Sequence, residues 1–405
     1  MKTDQIQKVH KDWYKLDLSA IVYPTLQRRD FSSVYRLSVL LKEDIDPEIL
    51  QRAVNLTMPR FPTYKAAIRK GVFWRYLEPN DRPGPFVQED VKNPCQPMHF
   101  KGNNRYLVRI YYYRNRIALE AHHSLGDGTG GMCVLQTLTA TYLRLKGHSE
   151  IENGGFVLDI LGIPDPGELE DAYMKYANAK VCPPRPGEKT YRVRGTKEPF
   201  YTLNIIDGIM SVSEVMQVAK SYNATITEYL NSVLLYALMQ KQESEWHLKL
   251  RPVKIAMPVN LRRFFPSRTL RNFITMIYPG IDPRLGEYTF EEIVTQVHNY
   301  MRYYLNEKLL RGDITTNAET QRNPFIRIVP LFIKDLVVRQ FYTKIQDKNS
   351  SAGLTNMGAL KVPETMKPYI ERFDIYMGQP FSTRTNCAIA SFEDILTINF
   401  ASSIA

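Results

Sequence analysis

The sequence has no Cys-x-x-Cys pair. Its four cysteines, Cys95, Cys133, Cys182 and Cys387, stand far apart in 405 residues. That excludes a zinc ribbon and a thioredoxin-type site, and it suits a reducing cytosol. No apolar run reaches the roughly 18 residues that a bilayer-spanning helix needs. The N-terminal segment lacks the apolar stretch of a signal peptide. The expectation is a cytoplasmic chain that does not cross a membrane. No compact Lys/Arg run and no nucleic-acid-binding motif is present, which argues against a nucleic-acid partner. The Gly-x-Ser-x-Gly nucleophile elbow and the Gly-x-x-x-x-Gly-Lys-Ser/Thr phosphate loop are both missing. So are internal repeats and low-complexity tracts.

What is present is an ordinary globular composition, 44% hydrophobic and 11% aromatic, with a basic balance. Lys and Arg number 53 against 42 Asp and Glu, a net charge of +11. That balance favours an anionic partner, whether a phosphorylated cofactor, an acidic protein or an anionic membrane surface, with a generally basic solvated surface as the plain alternative. At this length two domains or lobes are the default. The pattern is mixed α/β. A strand is expected over 34–42, a helix from Asp46-Pro47, a strand pair over 64–77 and a loop over 79–97. A hairpin follows over 106–123, turning at Arg114-Asn115. Helical periodicity runs from Met132 to Lys146, with Gly147 as its cap. Proline and glycine cluster over 166–200, a linker around a short helix at 167–179. It separates an N-terminal lobe (1–165) from a C-terminal lobe (201–405).

The second lobe carries three Ser/Thr-x-x-Glu helix starts, at Ser211, Thr225 and Thr289, the last opening a helix from 290 to about 310. Pro330 stands near the start of a fourth helix, with Ile333, Val337 and Phe341 on one stripe. Strands are expected at 252–257, 273–278, 372–377, 385–391 and 395–400, with Glu393-Asp394 turning the last hairpin.

Chemistry concentrates at residues 122–128, His-His-Ser-Leu-Gly-Asp-Gly. Neighbours on a strand point to opposite faces, so His122 and His123 do not readily share a metal. No third ligand lies nearby, and no metal site is expected. His123, the last residue before the turn, is the candidate general base; His122 is the packing partner. A neutral imidazole there can take a proton from a hydroxyl or amine. Asp127 either orients His123 or, more in keeping with a tight turn before a helix, holds the loop. Gly128 lets the backbone approach a substrate closely. With a His base and no protein nucleophile in view, direct transfer without an acyl-enzyme is the economical mechanism.

These residues resemble the His-His-x-x-x-Asp-Gly signature of the CoA-dependent acyltransferases, which include chloramphenicol acetyltransferase-like enzymes, alcohol acetyltransferases and nonribosomal peptide condensation domains. Two more stretches are similar to the stand-alone alcohol acetyltransferase and condensation branches: Pro258-Val-Asn-Leu-Arg262 with Asn272-Phe273, and Leu354-Thr-Asn-Met-Gly358. The order matches along nearly the whole chain. The resemblance implies two chloramphenicol acetyltransferase-like lobes, each a mixed sheet with flanking helices, around a central tunnel. It implies His123 as base at the tunnel's centre and Asp127 as loop anchor paired with Arg262. Thr355 and Asn356 would lie near substrate or the oxyanion. The implied donor is a coenzyme A thioester, or phosphopantetheine on an acyl carrier protein. The acceptor would be a small alcohol or amine. The Asp-Phe-Gly-Trp-Gly element of the plant branch is missing, and the 405 residues hold no carrier-protein or adenylation segment, so an embedded condensation module is not expected. A non-catalytic binding protein on the same fold is the alternative, and the intact motif counts against it.

Overall fold

The computed structural model describes the chain except residues 1–12, 28–30, 181–188, 246–248, 345–348 and 379–382, and except the side chains of 320 and 341–344. The first half begins with β1 (Tyr14–Lys15) and α1 (Val22–Leu26), followed by β2 (Val34–Leu41) and α2 (Pro47–Thr57). Asp46 caps α2, accepting from the Glu48 and Ile49 amides at 2.9 and 3.1 Å, and Pro47 fits the first turn where no amide partner is needed. Next come β3 (Ala66–Lys70), β4 (Arg75–Pro79), β5 (Val87–Glu89), β6 (Val108–Tyr113) and β7 (Arg116–His122). Helix α3 (Gly128–Lys146) and the short α4 (Ala172–Tyr176) complete this half.

The second half runs β8 (Asn204–Ser211), α5 (Val212–Ser221), α6 (Ile226–Ser244), β9 (Val253–Asn260), β10 (Ile274–Ile277) and β11 (Gly280–Ile281). Four helices follow: α7 (Phe290–Tyr304), α8 (Glu307–Arg322), α9 (Pro324–Ile328) and α10 (Leu331–Lys344). Strands β12 (Ala352–Ala359), β13 (Ile370–Met377), β14 (Thr385–Phe392) and β15 (Ile395–Ser402) end the chain. Thr225 and Thr289 each close a reciprocal capping box with Glu228 and Glu292. Ser211 caps α5 one-sidedly, and Asp394 takes the Ser213 amide instead.

The strands form two large mixed sheets and a small one. The first large sheet is ordered β13-β2-β7-β6-β5 and the second β10-β9-β12-β14-β15-β8, with β11 beside β9. The small sheet is β1-β4-β3. Helices α2 and α3 pack together, and α3 lies on β2 and β7. This buries Leu50, Val54, Leu119, Leu135 and Leu138. The second sheet packs with α6 and α7 around Leu235, Ile255, Ile293 and Ile389. Strand β13 leaves the second half and pairs antiparallel with β2 over Met377↔Tyr35 to Ile370↔Leu41, so the first sheet takes back a strand from beyond the 166–200 segment.

Several elements differ from the sequence reading. Helix α3 starts at Gly128, not Met132, because Asp127 caps it and its glycines sit where neighbours leave no room for side chains. The 79–97 loop contains β5, parallel to β6 at Val87↔Ile110. Strand β8 has no sequence counterpart because half its side chains are exposed; backbone pairing with β15 makes it a strand. The expected 290–310 helix is two: α7 ends at Tyr304, and Asn306 caps α8 through the Leu309 amide at 3.0 Å. Residues 167–179 hold a 3-10 turn (Pro166–Leu169) and α4, not one helix. On α10 the stripe of Ile333 and Val337 is exposed, not packed, and the Phe341 side chain lies outside the described residues. Of the linker, 181–188 lie outside the described residues.

Candidate active site

Strand β7 ends with His122 opposite Val34 of β2. One residue on, His123 has left the ladder. Its amide donates to the Ser33 carbonyl at 2.9 Å, and its own carbonyl accepts from Asn272 Nδ2 at 2.9 Å. Alternation separates the two imidazoles. His122 is fully buried, edge-on to Phe100 at 5.4 Å, and its Nδ1 accepts the Ser124 amide at 3.2 Å. His123 is half-buried, stacked on Tyr23 at 4.7 Å and tilted against Tyr35 at 4.7 Å. Enclosure in this aromatic sleeve disfavours the imidazolium and pushes His123 down to about 4, against the opposing pull of the Asp127 carboxylate. Burial, with His123 beside it, takes His122 down to about 3. Both rings are therefore neutral at neutral pH.

Asp127 turns away into the loop. Oδ1 accepts the Thr129 and Gly130 amides at 3.1 and 3.2 Å. Oδ2 accepts Arg262 Nη1 at 2.8 Å and the Phe273 amide at 2.9 Å. Arg262 also donates to the Thr269 and Arg271 carbonyls at 2.9 and 2.6 Å and to Asn260 Oδ1 at 3.2 Å. One carboxylate thus ties the first turn of α3 to the loop between β9 and β10. With five hydrogen bonds already accepted, the fifth from Arg262 Nη2 to Oδ1 at 3.3 Å, it is poorly placed to act as a triad acid.

The glycines let these pieces close. A Cβ at Gly130 would overlap the Leu270 carbonyl oxygen, and one at Gly126 would stand 2.5 Å from the Tyr64 hydroxyl. A Cβ at Gly128 would stand 3.0 Å from Met357 Sδ, which brings β12 to the N-terminus of α3. Asn260 Nδ2 adds a bond to Thr129 Oγ1 at 3.2 Å. The motif loop of the first sheet is therefore held by β9, the β9–β10 loop and β12 of the second.

The structure brings His123, Asp127, Gly128 and Arg262 together. Thr355 and Asn356 sit half-buried on β12 beside Met357. Asn356 is committed to the strand end: Oδ1 accepts the Gly358 amide at 2.7 Å, and Nδ2 donates to Thr227 Oγ1 at 2.8 Å. Sequence reasoning missed Tyr23 and Tyr35, the rings around His123, and the Asp17–Asn272 brace. Asp17 is fully buried and accepts Asn272 Nδ2 at 3.1 Å and the Ala20 amide at 2.7 Å. Asn272 lay in a noted motif, but nothing in the sequence couples it to residue 17. Among the described residues, no group of three His, Cys, Asp or Glu stands ready to hold a metal.

Set beside known proteins, the chain matches no protein-family profile and no curated protein by sequence. Its backbone is similar to many solved structures. The starter condensation domain of rhizomide synthetase RzmA, solved with C8-CoA, superimposes with a TM-score of 0.61 at 12% identity, over 99% of this chain and 91% of that one. Polyketide synthase associated protein 5 from Mycobacterium tuberculosis gives 0.56 at 14% identity, over 96% and 92%. The trichothecene 15-O-acetyltransferase of Fusarium sporotrichioides gives 0.53 at 14%, over 96% and 90%. The chain thus has the two-lobed mixed α/β fold of the CoA-dependent acyltransferases and condensation domains.

Proposed function

We propose that this protein is an acyltransferase that moves an acyl group from a CoA thioester to an alcohol or amine. The observation that carries the reading is His123: a neutral, half-buried imidazole where the two sheets meet, fixed through its backbone at both ends. In the reaction, His123 takes the acceptor's proton as its oxygen or nitrogen attacks the thioester carbonyl. The tetrahedral intermediate then expels the thiolate, breaking the C–S bond, and the imidazolium returns the proton to sulfur. No acyl-enzyme is required. We assign oxyanion stabilisation to the Gly128 amide at the positive end of α3, since both polar groups of Asn356 are occupied. Thr355 is the β12 side chain we place nearest the substrates. The basic net charge suits the phosphates of CoA.

The test is thiol release from acetyl- and octanoyl-CoA in the presence of alcohol and amine panels. Wild type should release thiol only with an acceptor, and His123→Ala should be slower by about 10²–10⁴-fold. Equal rates in the two would overturn the mechanism. Transfer from a pantetheine-loaded carrier protein but from no acyl-CoA would keep the base and change the donor.

A further inference from the structure

The apolar stripe of α10 is on the outside of the molecule. Phe332, Ile333, Leu336 and Val337 occupy one face, and Phe332 is 73% exposed. Helix α9, two residues upstream, adds Phe325 (77% exposed) and Ile328 (68%). The turn between β3 and β4 continues the surface with Val72 and Trp74.

This surface is held in place. The Leu331 amide donates to the Val72 carbonyl at 2.9 Å, and Lys334 Nζ donates to the Phe73 and Arg327 carbonyls at 2.9 and 3.1 Å. Arg75 forks onto Asp335 at 2.8 and 2.6 Å, buried side of helix to buried side of hairpin. Helix and hairpin therefore present their large side chains as one projecting surface. Isolated exposed apolar residues are normal; a contiguous set of large ones marks an interaction face.

Its charges identify the occupant. Arg327 and Lys334 stand beside the face on the helices and Lys70 on the hairpin, while Arg339 donates to the Thr25 carbonyl at 2.8 Å. Asp335, the acid within the segment, is taken up by Arg75. We propose that this face docks the protein peripherally on an anionic membrane surface. Trp and Phe set among Lys and Arg is the composition that settles at the headgroup level. Phe332, Leu336 and Val337 stand 73%, 61% and 61% exposed, which suits insertion among headgroups more than capture of a peptide helix. A second copy would bring the same cations against these. Among the described residues no helix is long and apolar enough to cross a membrane, so the contact would lie on the surface and not span it.

Co-sedimentation of the full chain with vesicles tests this. One set is phosphatidylcholine alone and the other contains about one-third phosphatidylglycerol. The chain should sediment with the anionic vesicles at low salt, and at least about tenfold more weakly with the neutral ones. The Phe332→Ser/Leu336→Ser double variant should lose about tenfold in binding with an unchanged melting temperature, because both side chains are exposed. His123→Ala should bind like wild type, which separates this outcome from that of the acyl-transfer assay. Wild-type chain left in the supernatant at low salt overturns the proposal, as does a double variant that binds undiminished. Self-association, or capture of an acidic carrier protein, that the double variant abolishes while vesicles stay unbound also overturns it, in favour of a protein partner.

Discussion

Protonation of His123 is the point at which the environment of one residue sets the behaviour of the site. An accessible histidine titrates at about 6.5, whereas burial between Tyr23 and Tyr35 holds this one near 4. A general base must be neutral, so activity is present above the folded value and lost as pH falls through it. The acid limb of kcat/KM should therefore lie near 4, and a limb near the ordinary value would show that the ring is solvated or is not the base. Asp127 makes a different prediction. Asp127→Ala removes a helix cap and leaves Arg262, with 12% of its side chain exposed, without its carboxylate. The cost should be about 3–5 kcal/mol in urea unfolding. A triad acid would instead cost activity at unchanged stability. His123 and Asp127 were legible because strand alternation and turn chemistry act locally. Tyr23, Tyr35 and Asp17 were not, because aromatic and acidic residues at a chain's start look the same whether they enclose a base or face water.

At the scale of elements, the strand–turn–helix unit works because its glycines allow close approach. Gly130 lies under the Leu270 carbonyl, a backbone atom that cannot swing aside. Gly130→Ala should therefore lower stability by about 1–3 kcal/mol and depress activity with it; an unchanged melting temperature would show that the loop can open. Capping predicted the starts of α2, α6 and α7 because each cap is written within four residues. Strands β5 and β8 escaped notice because what makes them strands is a partner distant in sequence. The α10 stripe shows the converse: periodicity reports that a helix has an apolar face, not what covers it.

For the molecule as a whole, β13 is the decisive connection. It supplies the edge of the first sheet next to β2, while Asn399 of β15 accepts the Ile375 amide at 3.0 Å. Residues 1–200 expressed alone should therefore expose the β2 edge and aggregate, and co-expression with 201–405 should recover soluble material. A soluble 1–200 fragment with native near-ultraviolet circular dichroism would show that the first sheet closes without β13. The same crossing accounts for a site built from both halves: His123, Asp127 and Gly128 on one side, Arg262, Asn272 and Met357 on the other.

The amino-acid sequence by itself determined the mixed α/β class, most helix starts, the hairpin and the seven-residue stretch that carries the proposed base. Those depend on periodicity, caps and turn residues, which act over a few positions. Only the tertiary structure decided that residues 370–377 return to the first sheet, that Asp127 is satisfied by Arg262 and the loop, that tyrosines enclose His123, and that the α10 stripe is bare. Each of those depends on which distant surfaces meet, and burial, not local propensity, settles that.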